Sequence, residues 1–517
     1  MQILKISLAK IFRRRNIEME KNESSGIPDH DVVVSPDDPD DPNDPVVSTD
    51  YDEKEFHRVL FNRCASHIGK RRGEFPQVYI DLESSSSKHE KHQPNDIRIV
   101  IEELEYIFGA EALKNIHERP VRQCCVYKVP RDLRNIDIKA YTPQVISIGP
   151  FHHGNTVLSE MENQKLRYMF EFGRREGPEK VKEFKRFIEE KEQIIRNYYQ
   201  ENSKLESPEF VKMILRDAVF IIEFFLKNAE PVNERKFDFF LDTLHVRAAI
   251  TRDLQLLENQ LPYFLLKNLF VKGAFLNFTK KDYPHHDPFL ILSLRFFFNT
   301  GNEVFPKPKN RIQHFTDLIR YFLLMDFLQQ DQKQGEYVRD LPTATKLHGS
   351  GVKFKKQEIE GGSSLKITCE YVPRAIRIPY FKSCQLPIPY FKACELRIPC
   401  IKIDDWSECL YRNLMALELC LYPSETHICN FILLMDFLIN TEKDVDLFVK
   451  EGIIFSLLVD NATVTKMFNN LGLQIIPSPS VYHDICKKLK EHYDSHRCVR
   501  RWNDGMATLK TVYFGGI

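Results

Sequence analysis

The chain lacks a long uninterrupted apolar run, an excess of either charge, and much glycine. A membrane-spanning helix needs roughly 18 or more consecutive apolar residues. The densest stretch, Ala218 to Leu226, is far shorter and is interrupted by Glu223. Lysine plus arginine and aspartate plus glutamate both number 73, so the formal net charge is zero. A protein built to hold nucleic acid carries a basic excess, so no nucleic-acid partner is expected. Only 20 glycines stand against 38 phenylalanines, a balance that favours packed helices over a glycine-punctuated all-β fold. None of the 12 cysteines forms a Cys-x-x-Cys pair, which argues against a zinc ribbon and a thioredoxin-type site. With no secretory signal recognised, reduced thiols in the cytoplasm are expected, and the sequons starting at Asn22, Asn277 and Asn461 are read as chance matches. There is no glycine-rich phosphate loop, Gly-x-Ser-x-Gly elbow or kinase signature.

What is present divides along the chain. The first 18 residues combine Ile3, Leu4, Leu8, Ile11 and Phe12 with Lys5, Lys10, Arg13, Arg14 and Arg15. As a helix this stretch would be basic and amphipathic, suited to a membrane surface or a transit peptide; equally, Met19 could be the ordinary first residue. Residues 1–95 read as a disordered acidic, proline-rich extension, because the Asp/Pro run from Pro36 to Pro45 and the serines 84–87 can bury nothing. Residues 97–118 have the spacing of a linker helix, and a mainly α, multi-helix domain with a few short β strands is expected over 126–514.

Within that domain, Val181 to Tyr198 keep helical spacing after Pro178, and Ser207-Pro208 reads as a cap followed by a first-turn proline. The helix that follows is apolar almost all round, so it should be central. Pro262 should kink or divide a helical pattern over 244–271. Asp405 with Glu408 reads as a capping box, Thr441 with Asp444 as a weaker one, and Asp460 and Gly472 as the ends of a short helix. Residues 335–403 form an irregular, β-containing insert. There RIPYFKSCQL (377–386), PIPYFKACEL (387–396) and a third start at Arg397 repeat in tandem. A proline in each unit predicts an edge segment or loop.

Several segments resemble the plant domain of unknown function 247 family. VYKVPRDLRNIDIKAYTPQVISIGPFHHG (126–154), MENQKLR (161–167), DLQLLENQLPYFLL (253–266), Asp405 to Cys420, and LMDFLINTEKDVDLFVKEGII (434–454) match its signatures in order. The chain has Asp217-Ala218 where the family pattern has Asp-Gly, and the decapeptide duplication is extra. The resemblance implies a membrane-anchored protein. Because the chain ends at Gly515-Gly516-Ile517, where the family's anchoring helix would begin, the expectation is a truncated or diverged copy, cytoplasmic or peripherally bound at a membrane. Some grass members are associated with self-incompatibility, which offers only analogy.

The candidate chemistry is thin. His152-His153 and His89-Glu90-Lys91-His92 lack the spacing that makes side chains converge on a metal, and His285-His286-Asp287 lies in a proline-flanked loop where a polar loop role is expected. Glu162-Asn163-Gln164 and Glu258-Asn259-Gln260 could form a buried network or line a pocket, helix-end satisfaction being the commoner role. Asp217 and Glu223 in an apolar helix should be ion-paired, with Arg216 and Arg247 as candidate partners. No catalytic, cofactor-binding or metal-binding residue is assigned. The reading is a non-enzymatic interaction or recognition protein with protein partners at a membrane face; an enzyme using Asp217, Glu223 or the paired histidines is the alternative.

Overall fold

The computed structural model describes residues 124–495 except 232, 234, 274–286, 300–307, 309–310, 326–333, 359–364, 374–391 and 477. The described residues belong to one unit of the chain. The expectations for 1–95 and 97–118 therefore lie outside the described residues, as do those for His89–His92, His285 and His286.

The fold is mainly helical, as the composition implies. Among the described residues the α-helices are α1 (Arg131–Arg134), α2 (Ser159–Glu176), α3 (Pro178–Asn197), α4 (Ser207–Ala229), α5 (Phe239–Asp242), α6 (Leu244–Asp253), α7 (Tyr263–Lys272), α8 (Pro288–Phe298), α9 (Phe315–Leu323), α10 (Ala344–Gly349), α11 (Ser407–Leu421), α12 (His427–Leu438), α13 (Glu442–Lys450), α14 (Asn461–Leu471) and α15 (His483–Ser495). Gly177, at φ +88°, separates α2 from α3, and Pro178 opens α3 at a position whose amide needs no partner.

Helix α4 is the central element of the first half, packed by α2, α3, α5, α7 and α8. Its apolar residues are buried on every side, from Phe210 to Phe225. Ser207 is the first helical residue rather than the cap, and its hydroxyl instead donates to Glu192 at 2.5 Å. Pro262 divides the 244–271 pattern: α6 ends at Asp253, α7 begins at Tyr263, and the nine residues between them are not helical.

Two main hydrophobic cores result among the described residues. One runs from Cys125 to Met325 around α4, and the other from Ile319 to Leu489 around α12. Helix α9 faces both, giving Phe315, Leu318 and Phe322 to the first and Ile319 to the second. A third, small cluster joins Val129, Leu133, Tyr141 and Leu257 to Ala416 and Leu417 of α11.

The insert supplies a three-stranded sheet in the order β1-β3-β2, with β1 (Lys353–Gln357) parallel and β2 (Thr368–Pro373) antiparallel to β3 (Lys392–Pro399). A second sheet pairs β4 (Ile401–Ile403) with β5 (Ile454–Ser456) in parallel. The decapeptide repeat thus corrects the expectation of an edge or loop. The end of its second unit and the start of its third form β3, the central strand. Between Pro389 and Pro399 the chain has no proline, so every residue from Lys392 to Ile398 keeps its ladder amide. The first unit lies outside the described residues.

Helix starts also differ in detail. Asp404, not Asp405, accepts the Trp406 amide (3.0 Å) and the Ser407 hydroxyl (2.8 Å) ahead of α11, while Glu408 turns to Arg412 (2.6 Å). Thr441 and Asp444 do form a reciprocal capping box, and Asp460 caps α14 through the Thr463 amide at 2.7 Å. Gly472 follows α14 in right-handed geometry; a side chain there would meet the Asp436 carboxylate, so close approach rather than turn conformation calls for glycine.

Candidate functional site

Asp217, Asn259 and Gln260, singled out in the sequence, meet Asp253 where the 254–262 connection packs on the segment 144–149. Asp253, fully buried at the end of α6, accepts the amides of Gln144 (2.9 Å), Val145 (2.6 Å) and Ile146 (2.9 Å). Burial pushes its carboxyl up, against the pull of those amides and of Arg252. Asn259 continues the pattern. Its Oδ1 accepts the Ile148 amide at 2.7 Å, and its Nδ2 donates to the carbonyls of Ile146 (3.0 Å) and Asp253 (2.9 Å). Gln260 donates to the Leu254 and Leu256 carbonyls, both at 2.7 Å, and accepts the Phe315 amide at 2.9 Å. A non-helical, buried nine-residue connection would otherwise leave these main-chain groups unsatisfied, at about 1–3 kcal/mol each.

The opposite side of 147–149 is held by α2 and α4. Lys165 Nζ donates to the Ser147 carbonyl (2.7 Å) and to Asp217 (2.6 Å), and Asp217 accepts the Gly149 amide (2.9 Å). Burial raises the Asp217 carboxyl in spite of the nearby Lys165 charge. Glu162 lies in the first turn of α2, inside the helix rather than before it, and pairs with Lys165 (2.5 Å) and Arg216. The two Glu-Asn-Gln segments therefore take different roles. One reaches the ion pair of α2 and α4, and the other is the connection itself.

Glu258 is buried, accepts the Val129 amide at 2.7 Å, pairs with Arg134, and lies 3.3 Å from His152 Nε2. Burial alone would raise its carboxyl, but His152, Arg134 and the Val129 amide outweigh it and hold the group below the usual range. His153 is half-buried and does not join this cluster. Glu223 is held bidentately by Arg175 (2.8 and 2.6 Å); of the two candidate partners, Arg247 approaches Asn228 at 3.5 Å and Arg216 pairs with Glu162. Asp287 caps α8 through the Phe289 amide at 3.1 Å. Among the described residues no group of three or more His, Cys, Asp or Glu is placed to hold a metal ion, and no helix is long and apolar enough to cross a membrane.

The structure adds a surface that sequence reasoning missed. A cleft of about 440 Å³ opens between the start of α11 and α14, lined by Asp137, Asp404, Asp405, Glu408, Arg412 and Lys466 among others. Four carboxylates face two cations, so its mouth is acidic. Next to it, β5 exposes Phe455 (55%), and the chain leaving β5 exposes Leu457 (70%) and Val459 (99%), which flank the cleft-lining Leu458. The signal was present in the sequence: Glu408 and Arg412, four apart, share a helix face, while the neighbouring Asn413 faces inward and donates to the Ala140 carbonyl at 2.8 Å.

The interlocked segments lie within the part of the chain that a family model matches, residues 126–517. Over 414 residues the chain is 24% identical to the UPF0481 protein At3g47200 of Arabidopsis thaliana, covering 74% of this chain and 79% of that protein. It is 25% identical over 181 residues to a second UPF0481 protein of that plant, At3g02645, covering 35% of this chain and 33% of that one. No solved structure matches. A family model described as a plant protein of unknown function matches residues 126–517, and the chain belongs to that family, DUF247.

Proposed function

We propose that the protein is a non-enzymatic interaction protein that engages a protein partner at a membrane face through the acidic cleft and its apolar rim. The observation that carries the reading is the use made of the buried carboxylates. Asp217, Glu223, Asp253 and Glu258 are each held by main-chain amides, a lysine or an arginine, in three separate places, and none lines the cleft. Groups so occupied are poor candidates for proton transfer to a substrate. The cleft instead offers a rim of exposed apolar side chains beside an acidic mouth, a combination that suits a partner segment carrying basic and apolar residues. The membrane component rests on the family resemblance and on the basic, apolar-spaced residues 1–18.

The test is a quantitative comparison of proteins recovered with the full chain and with a Leu457→Ser, Val459→Ser, Asp405→Lys variant. All three side chains are exposed, so the fold should survive, as circular dichroism can verify. Selective loss of one or more direct partners, reproduced with purified proteins, supports the reading. Unchanged recovery of every direct partner overturns it. Flotation of the full chain with anionic vesicles, reversed by salt, checks the membrane component.

A further inference from the structure

The three-stranded sheet brings two thiols together. Across the antiparallel pair, Cys369 of β2 stands opposite Leu396 and Cys394 of β3 stands opposite Tyr371. The two cysteines are therefore diagonal neighbours on one face of the sheet, with Sγ to Sγ 3.1 Å. A covalent S–S bond is about 2.05 Å, so an approach of about 1 Å would close it.

Their surroundings differ in a way that assigns roles. Cys394 is fully buried in the second core, whereas Cys369 is half-buried. The hydrogen bond from Cys394 is the largest influence on Cys369 and lowers its pKa; burial opposes this, Lys488 of α15 adds to it, and Glu370 works against it. The same hydrogen bond, with burial, raises Cys394. One thiol thus ionises more readily and can be reached, and the other stays protonated and points at it. That is the pattern of an attacking and a resolving cysteine.

We propose that Cys369 and Cys394 are a peroxide-sensitive thiol pair that closes to an intramolecular disulfide, tying β2 to β3 across the duplicated decapeptide. In the first step the Cys369 thiolate attacks one peroxide oxygen. An S–O bond forms, the O–O bond breaks, and the departing hydroxide takes up a proton to leave as water, giving the sulfenic acid. In the second step the Cys394 sulfur attacks the Cys369 sulfur. The S–S bond forms, the S–O bond breaks, and the departing hydroxide leaves as water with the Cys394 proton. Overall two thiols and one hydrogen peroxide give one disulfide and two waters, a two-electron oxidation of the pair. The sequence also supplies rivals for Cys369. Cys384 holds in the first decapeptide the place that Cys394 holds in the second, and the buried Cys486 of α15 lies near enough to feel the Cys369 charge.

Peptide mapping distinguishes these outcomes. The reduced full chain is treated with hydrogen peroxide, its remaining thiols are alkylated, and it is digested with trypsin. Residues 367–374 carry Cys369, 383–392 carry Cys384, 393–397 carry Cys394 and 467–487 carry Cys486. The expected product is 367–374 joined to 393–397, released by dithiothreitol and formed before any oxidation of Cys429. In Cys394→Ser the Cys369 sulfenic acid should be trapped by dimedone, and in Cys369→Ser the Cys394 thiol should stay unmodified. A dominant link to Cys384 or Cys486, sulfinic acid at Cys369 without a crosslink, or a Cys369 no faster than Cys429 would overturn the proposal. The map of the unmutated chain decides this even if either variant fails to fold.

Discussion

Asn413, on α11, accepts the main-chain amide of Leu257 at 2.9 Å across 156 residues of sequence. Its Nδ2 donates to the Ala140 carbonyl at 2.8 Å. One side chain thus joins three segments, the opening 126–154 stretch, the 253–266 connection and the 405–420 helix. Asn413→Ala should leave a buried amide and a buried carbonyl without these partners and cost about 2–4 kcal/mol. Denaturant unfolding measures this; a loss below about 0.5 kcal/mol, the scale of a neutral surface change, would sink it.

Leu257 itself is fully buried in the small cluster that connects the two cores. Leu257→Ala should cost about 2–5 kcal/mol. An unfolding midpoint matching that of an exposed-site control such as Val157→Ala would contradict this burial, since Val157 is 80% exposed.

The Lys165–Asp217 pair has neither side chain exposed. Removing one member of such a pair strands the other charge, so Lys165→Met should cost about 3–5 kcal/mol. Adding Asp217→Asn should recover part of the loss, because the amide is uncharged and its oxygen can still accept the Gly149 amide. A double-mutant cycle with strictly additive losses would show that the two groups are not coupled.

Gly149 has φ +70°, and a Cβ there would lie 2.6 Å from the Gln260 carbonyl oxygen and 3.0 Å from the Tyr199 hydroxyl. Strain and overlap act together, so Gly149→Ala should cost about 2–5 kcal/mol. Gly154, also at positive φ but in open space, serves as the control: Gly154→Ala carries the strain alone and should cost less. Equal losses would show that the overlap is relieved.

Burial, reinforced by the Arg320 charge, lowers His427 from its ordinary value to about 4. With the folded value below the unfolded one, His427 gives its full contribution above about pH 6.5 and loses it as pH falls through about 4. The unfolded chain takes up the proton first, and the full span is worth up to about 3 kcal/mol. Unfolding free energies of the unmutated chain and His427→Gln, compared at pH 7, 5.5 and 4, should converge on acidification. A constant difference would show that His427 does not titrate between the two states.

Local order determined much of this protein. Proline and glycine positions divided α2 from α3 and α6 from α7, helical spacing located α4 and marked it as central, and the 253–266 leucines were readable as core, because these depend on neighbours within a few turns of chain. Pairing was decided only in three dimensions. That Asp217 takes Lys165 and Glu223 takes Arg175, rather than Arg216 or Arg247, and that Asn413 reaches Leu257 depends on which helix faces which, and a list of compatible charges does not contain that information. The decapeptide shows the same division. Its repetition is plain in the sequence, but the place of its second unit at the centre of a sheet depends on strands from residues 353 and 368 arriving on both sides. The cleft, too, exists only once α11 and α14 pack together, which is why Asp405 and Glu408 read along the chain only as a helix start and Glu408 with Arg412 only as a four-residue spacing of opposite charges.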